Sequence, residues 1–123
     1  MPITFTIEQD TIFTTAMGPV TLAETLDHVQ AKSKAGVLHH PELFDARGIT
    51  SVFSTSELRD LARGAAQALG DTKPGRLALV TGNSLHEGLA HSYSIFAGHI
   101  DAEFEVFSDI DTARDWLLRP RST

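Results

Sequence analysis

Cysteine is missing altogether from this chain of 123 residues, which excludes thiol chemistry and a disulfide framework. No run approaches the ~18 consecutive apolar residues that a membrane-spanning helix needs. The first residues, Met-Pro-Ile-Thr-Phe-Thr-Ile, lack the basic flank and apolar stretch of a signal peptide. A cytoplasmic location is the resulting expectation. Basic residues are few and scattered, and the net charge is −6. A nucleic-acid surface needs clustered Lys and Arg to replace counterions, so nucleic acid is not an expected partner. Neither common phosphate-binding glycine pattern is present.

What the chain does have is a repeated helix-start signal. Thr21–Glu24, Ser54–Glu57 and Ser84–Glu87 each read Ser/Thr-x-x-Glu, and each follows a strand-like run. In this pattern the hydroxyl accepts from a free backbone N–H while the Glu reaches back to the cap N–H. Asp109 supplies a fourth start after Phe104-Glu105-Val106-Phe107. At this length the chain reads as one domain, residues 1–118, with 119–123 as a frayed tail. It buries roughly two-thirds of its unfolded surface and needs no metal or disulfide staple.

Ile3, Phe5 and Ile7 alternate with polar residues, as do Ile12, Thr14 and Ala16, and the break at Glu8-Gln9-Asp10 predicts a hairpin with one covered face. Gly18-Pro19 ends it. A first helix is expected from about Leu22 to Ala35, with Leu22, Leu26 and Val29 inward and Gly36 as its stop. His39-His40-Pro41 reads as loop. Leu43-Phe44-Asp45-Ala46 is the next strand, with Arg47-Gly48 as its exit. Leu58, Leu61, Ala62, Ala65 and Leu69 form a helical stripe. Leu77-Ala78-Leu79-Val80 is apolar without alternation, as for a strand covered on both faces. Leu85, Leu89, Tyr93, Phe96 and Ile100 mark a third helix, and Ile110, Ala113 and Leu117 a fourth. The expected fold class is α/β: one mixed, mainly parallel five-stranded sheet with four helices, in the order ββαβαβαβα. Strand order does not follow from these patterns.

If the last three strands are parallel, the helix N-termini gather along one sheet edge, the usual binding edge of open α/β folds. That candidate binding edge holds Asp45, Arg47, Ser54, Thr55, Ser56, Asn83 and Ser84, with Thr81, Ser108 and Asp109 beside it. Free N–H groups there favour anions, although capping alone explains most of these residue types. Asp45 beside Arg47 reads first as a structural charge pair. A candidate apolar pocket involves Leu89, Tyr93 and Phe96, if the third helix lifts from the sheet; Gly88 and Gly98 near its ends would ease this. The bland alternative is that these aromatics are core.

No catalytic residue, cofactor or metal is expected. His86 and His91 are five apart, which on a helix turns them about 140° from each other, so they cannot share one metal. Gly82-Asn83-Ser84-Leu85-His86 resembles a nucleophile elbow, but His86 stands where a small residue is needed, and Ser84 reads as a cap. Adjacent His39 and His40 read as solvated.

With the elements placed, the chain resembles the STAS-like domains, the fold of the sporulation anti-sigma-factor antagonist (SpoIIAA-like). More narrowly, it is similar to the small stand-alone bacterial domains grouped with Sec14. The resemblance rests on Gly18-Pro19-Val20-Thr21, Leu43-Phe44-Asp45-Ala46-Arg47-Gly48-Ile49, Arg76-Leu77-Ala78-Leu79-Val80, and Phe104-Glu105-Val106-Phe107 running into Ala113-Arg114-Asp115-Trp116-Leu117. It implies a mixed sheet and no established catalysis. In the antagonists, an Asp-Ser pair opens the second helix and that Ser is phosphorylated. By resemblance Thr55 takes the phosphoacceptor place and Ser54 that of the aspartate. The Asp is absent here, and Glu57 replaces a small residue. The Sec14 side implies a lipid-like ligand under a movable helix.

Three functions are therefore carried forward. One is a non-enzymatic regulatory interaction module centred on Ser54–Glu57 and the Asp45–Arg47 turn. Another is a carrier or sensor of an apolar small molecule under the third helix. The third is a small enzyme using strand-end carboxylates and hydroxyls. A homodimer is compatible with any of them.

Overall fold

The computed structural model describes residues 2–119 of the chain. The expected tail beyond 119 lies outside the described residues. The elements are β1 (Ile3–Glu8), β2 (Thr11–Gly18), α1 (Leu22–Lys34), β3 (Glu42–Ile49), α2 (Thr55–Leu69), β4 (Leu77–Val80), α3 (Ser84–Phe96), β5 (Phe104–Phe107) and α4 (Ile110–Leu118). This is the order read from sequence. The sheet order is β1-β2-β3-β4-β5, with β1 antiparallel to β2 and every other neighbour parallel.

The β1–β2 hairpin closes with Glu8 opposite Thr11. Its two turn residues, Gln9 and Asp10, have φ of 50° and 64°, the left-handed pair that matches the twist of a tight hairpin. From β2 onward each crossover steps the same way along the sheet. Crossovers of one hand then put α1, α2 and α3 on a single face. They lie there side by side, α1 against α2 and α2 against α3. After β5, at the sheet edge, the chain folds back, and α4 covers the opposite face over β3, β4 and β5.

The α4 face is close-packed. Leu43, Ala78, Val80, Ala113 and Leu117 form its centre, each 0–4% exposed, with Phe13, Phe107, Ile110 and Trp116 around them. Arg76 fastens the far end: it donates to the carbonyls of Trp116 and Arg119 at 3.0 and 2.7 Å, and its guanidinium lies over the Trp116 ring. Such contacts satisfy carbonyls that a helix C-terminus leaves open.

Three helix starts cap as the sequence indicates. Thr21 with Glu24 and Ser54 with Glu57 form complete capping boxes, and Asp109 accepts from the Thr112 N–H. The third differs. Asn83, not Ser84, caps α3, accepting from His86 N at 2.9 Å, and Ser84 is the first helical residue. Asn ranks with Ser as a cap, so the two adjacent candidates were nearly matched in propensity. The helix thus begins one residue earlier than expected. Leu85, assigned to the inner stripe, is 57% exposed. The inward line of α3 is instead His86, Leu89, Ala90, Tyr93 and Ala97. Strand β3 is also longer than expected. It includes Glu42 at its start and continues through Arg47-Gly48 to Ile49, because β2 still has partners to offer there.

Candidate functional site

On the three-helix face the sheet and helices do not meet closely. Between them runs a cavity of about 420 Å³. Its floor is Ile12, Phe44, Leu77, Leu79 and Phe104, and its roof includes Val29, Leu58, Leu61, Ala65 and Leu89. Strand alternation explains the asymmetry with the α4 face: Leu43 and Ala78 point down into the core, while Phe44 and Leu79 point up into the cavity. The Leu58/Leu61/Ala65/Leu69 stripe read from sequence supplies much of the roof.

One part of this apolar space is strongly polar. Glu42, at the first position of β3, is 4% exposed and faces the cavity. Its carboxylate accepts from Thr14 Oγ1 at 2.6 Å and from His28 Nε2 at 2.9 Å, both on Oε2, and from Lys32 Nζ on Oε1. An ionised carboxylate only accepts, so His28 Nε2 carries its proton here. The His28 ring is held edge-on between Phe5 and Phe44, at 5.4 and 5.6 Å. Thr25, His28 and Lys32 recur at helical spacing, so α1 turns a polar line toward the sheet, with Leu22, Leu26 and Val29 only half-buried beside it. Thr14 lies in the covered alternation of β2, between Ile12 and Ala16.

Burial by itself would raise the Glu42 pKa. The Lys32 charge and the hydrogen bonds from His28 and Lys32 outweigh it and hold the group at about 2. A carboxylate so placed is a poor proton acceptor near neutral pH, and three donors already engage its oxygens. Tyr93 approaches from α3. Its phenol is pushed up to about 12, first by burial and then by the negative charge of Glu42. The Tyr93 ring packs on Phe104 at 5.8 Å, and its hydroxyl has no hydrogen-bond partner among the described residues.

The residues singled out from sequence fall into three places. Leu89 and Tyr93 line the cavity, but Phe96 does not. It lies between α2 and α3 on the outside, beneath the Arg59 guanidinium at 5.0 Å. Ser54, Thr55, Ser56, Asn83 and Ser84 are exposed at the ends of β3 and β4, which are neighbours. His86 ties these two helix starts together: Nε2 donates to the Ser51 carbonyl at 2.8 Å, and Nδ1 accepts from the Asn83 amide at 3.0 Å. Asp45 and Arg47 form a two-pronged ion pair, Nε–Oδ1 and Nη2–Oδ2 both 2.9 Å. The side-chain hydrogen bond from Arg47 lowers the Asp45 pKa. Asp45 shares the Leu43 side of β3, away from the cavity. Asp45 and Arg47 therefore lie apart from the cavity, which reaches the edge through Ser51, Thr81 and His86.

Glu42, His28, Lys32 and Thr14 are absent from the residues picked out by sequence. The available signal was polar residues at buried positions: His28 and Lys32 in line with Thr25 on the helix, and Thr14 within an apolar alternation. Among the described residues, no group of three or more His, Asp or Glu is placed to hold a metal ion, and no helix is long and apolar enough to cross a membrane.

No protein-family model matches the chain, and no curated protein is significantly similar to it. Its fold does match a solved structure. An uncharacterized protein of the DUF3478 family from Shewanella loihica PV-4, described as having a SpoIIAA-like fold, superposes with a TM-score of 0.60 at 19% identity. The match covers 94% of this chain and 91% of that one. At this identity the likeness establishes the fold: an α/β domain of SpoIIAA-like, STAS-type architecture.

Proposed function

We propose that this domain binds an apolar small molecule in the cavity between its sheet and α1–α3, as a carrier or sensor. The observation that carries the reading is the cavity itself. Protein interiors pack to crystal-like density and leave few voids larger than a water. A space of about 420 Å³ lies within the range of small-molecule sites. Its apolar walls with a few convergent polar groups match the usual make-up of such sites.

The test is a native mass spectrum of gently purified protein, repeated under denaturing conditions, with a Nile red titration alongside. The expected result is added mass that leaves on denaturation, or saturable dye uptake. A clean spectrum with no dye uptake overturns the reading. Phe96→Ala, outside the cavity, is expected to leave retention unchanged.

A second reading, a regulatory protein-interaction module, draws on the exposed edge. Val52 and Leu85 are 55% and 57% exposed and flank Ser54–Ser56 and Asn83–Ser84 in sequence. Large apolar side chains among exposed polar ones suit a partner surface. On this reading Thr55→Glu and Val52→Asp abolish capture of a partner while leaving the fold and dye uptake intact.

A further inference from the structure

The cavity's polar groups restrict what its occupant can carry. Its charges come already paired. Lys32 is matched by Glu42, and Arg76, at one end of the lining, by Glu103 at 3.0 Å. The Glu42 oxygens are engaged by three donors, so no demand remains there for a cationic group. Both ring nitrogens of His86 are engaged as well. What remains open is donor capacity. The Lys32 ammonium has three N–H groups and a single acceptor, Glu42 Oε1, among the described residues. The Tyr93 hydroxyl, protonated at neutral pH and so a donor, has none among the described residues. Both side chains line the cavity, so an occupant's acceptor can use this donor capacity.

Resting on the binding reading above, we infer that the cavity selects an apolar molecule with an uncharged acceptor head, such as an ester, ketone or amide carbonyl, which receives hydrogen bonds from Tyr93 Oη and Lys32 Nζ. A carboxylate head would bring a second negative charge beside Glu42, which already engages Lys32. An ammonium head would find the Glu42 oxygens already engaged by three donors. Either adds an unbalanced charge to a largely apolar enclosure, which is unfavourable.

The experiment is displacement of Nile red by three molecules sharing one alkyl chain: methyl laurate, laurate and dodecylammonium. Methyl laurate is expected to displace the dye at about ten-fold lower concentration than either charged analogue, equivalent to ~1.4 kcal/mol. Tyr93→Phe is expected to weaken methyl laurate several-fold with thermal stability unchanged. In Glu42→Gln the negative charge is gone and Lys32 is unbalanced, so laurate is expected to gain on its ester, which a purely structural role for Glu42 would not produce. Laurate displacing as well as its ester in the unaltered protein overturns the head-group inference and leaves cavity binding standing. Failure of Nile red to bind at all overturns both.

Discussion

Leu117 and Leu61 both pack toward the same sheet, from opposite sides. Leu117, on α4, is 4% exposed and clusters with Leu43, Ala78 and Val80 in the buried core. Leu61, on α2, faces a hollow floored by Phe44 and Leu79. The same strands build both faces, since alternate residues of β3 and β4 point each way. The two faces nevertheless do different work. The α4 face holds the domain together by contiguous apolar burial. The other face spreads three helices over a cavity and fixes an ionised carboxylate within it. Close apolar packing and open space are thus divided between the two sides of one sheet.

The largest effect is expected where the hollow face depends on charge. Glu42→Ala leaves Lys32 and His28 facing the cavity without their partner, and is expected to cost about 3–5 kcal/mol, read as a fall in urea midpoint. Leu117→Ala is expected to cost about 2–5 kcal/mol, and Leu61→Ala less, because one side of Leu61 already lacks partner atoms. Equal losses from the two leucines would remove the distinction between the faces.

Acid sharpens the same comparison. Glu42 has a folded pKa of about 2 against an ordinary 4.5. A lowered folded pKa gives stability that is fully present above 4.5 and lost as pH falls toward 2. That contribution is roughly 3 kcal/mol. Urea titrations across this window should show the protein losing more than its Glu42→Gln variant, which lacks the group; parallel curves would contradict the assignment.

The smallest effect is the most diagnostic in sign. Ala113→Leu overfills the close-packed face and is expected to destabilise by about 1–3 kcal/mol. Ala65→Leu projects into the cavity and is expected to be neutral or mildly stabilising. Thermal melts of the pair would show it, and two similar losses would mean that the cavity closes in solution.

Much of the fold was legible in local pattern. The hairpin, the Thr21 and Ser54 capping boxes, the Leu58-to-Leu69 stripe and the unbroken apolar run of β4 each rest on neighbours within a few residues. The start of α3 was not, because Asn83 and Ser84 compete as caps, and Leu85 in its first turn is exposed. Strand order was not legible either, since it depends on crossovers rather than on any one segment. The polar centre was hidden for a different reason. His28, Lys32 and Glu42 are 14 and 10 residues apart in pairs, and Thr14 is 28 from Glu42. Nothing local marks them as partners. Each looks like an exposed polar residue until the sheet brings β2, β3 and α1 together. Tyr93 and Leu89 were identified as pocket residues from the apolar stripe of α3, and Phe96 with them. The stripe was one position too wide, and Phe96 falls on the outer flank.

The most direct test of the division between the two faces is a Nile red titration of the protein beside its Ala65→Phe variant, with thermal melts of both. The account predicts saturable uptake by the unaltered protein, and loss of that uptake in a variant that melts no lower. Undiminished uptake by the filled variant would contradict it, because the dye would then be binding somewhere other than the cavity beneath α1–α3.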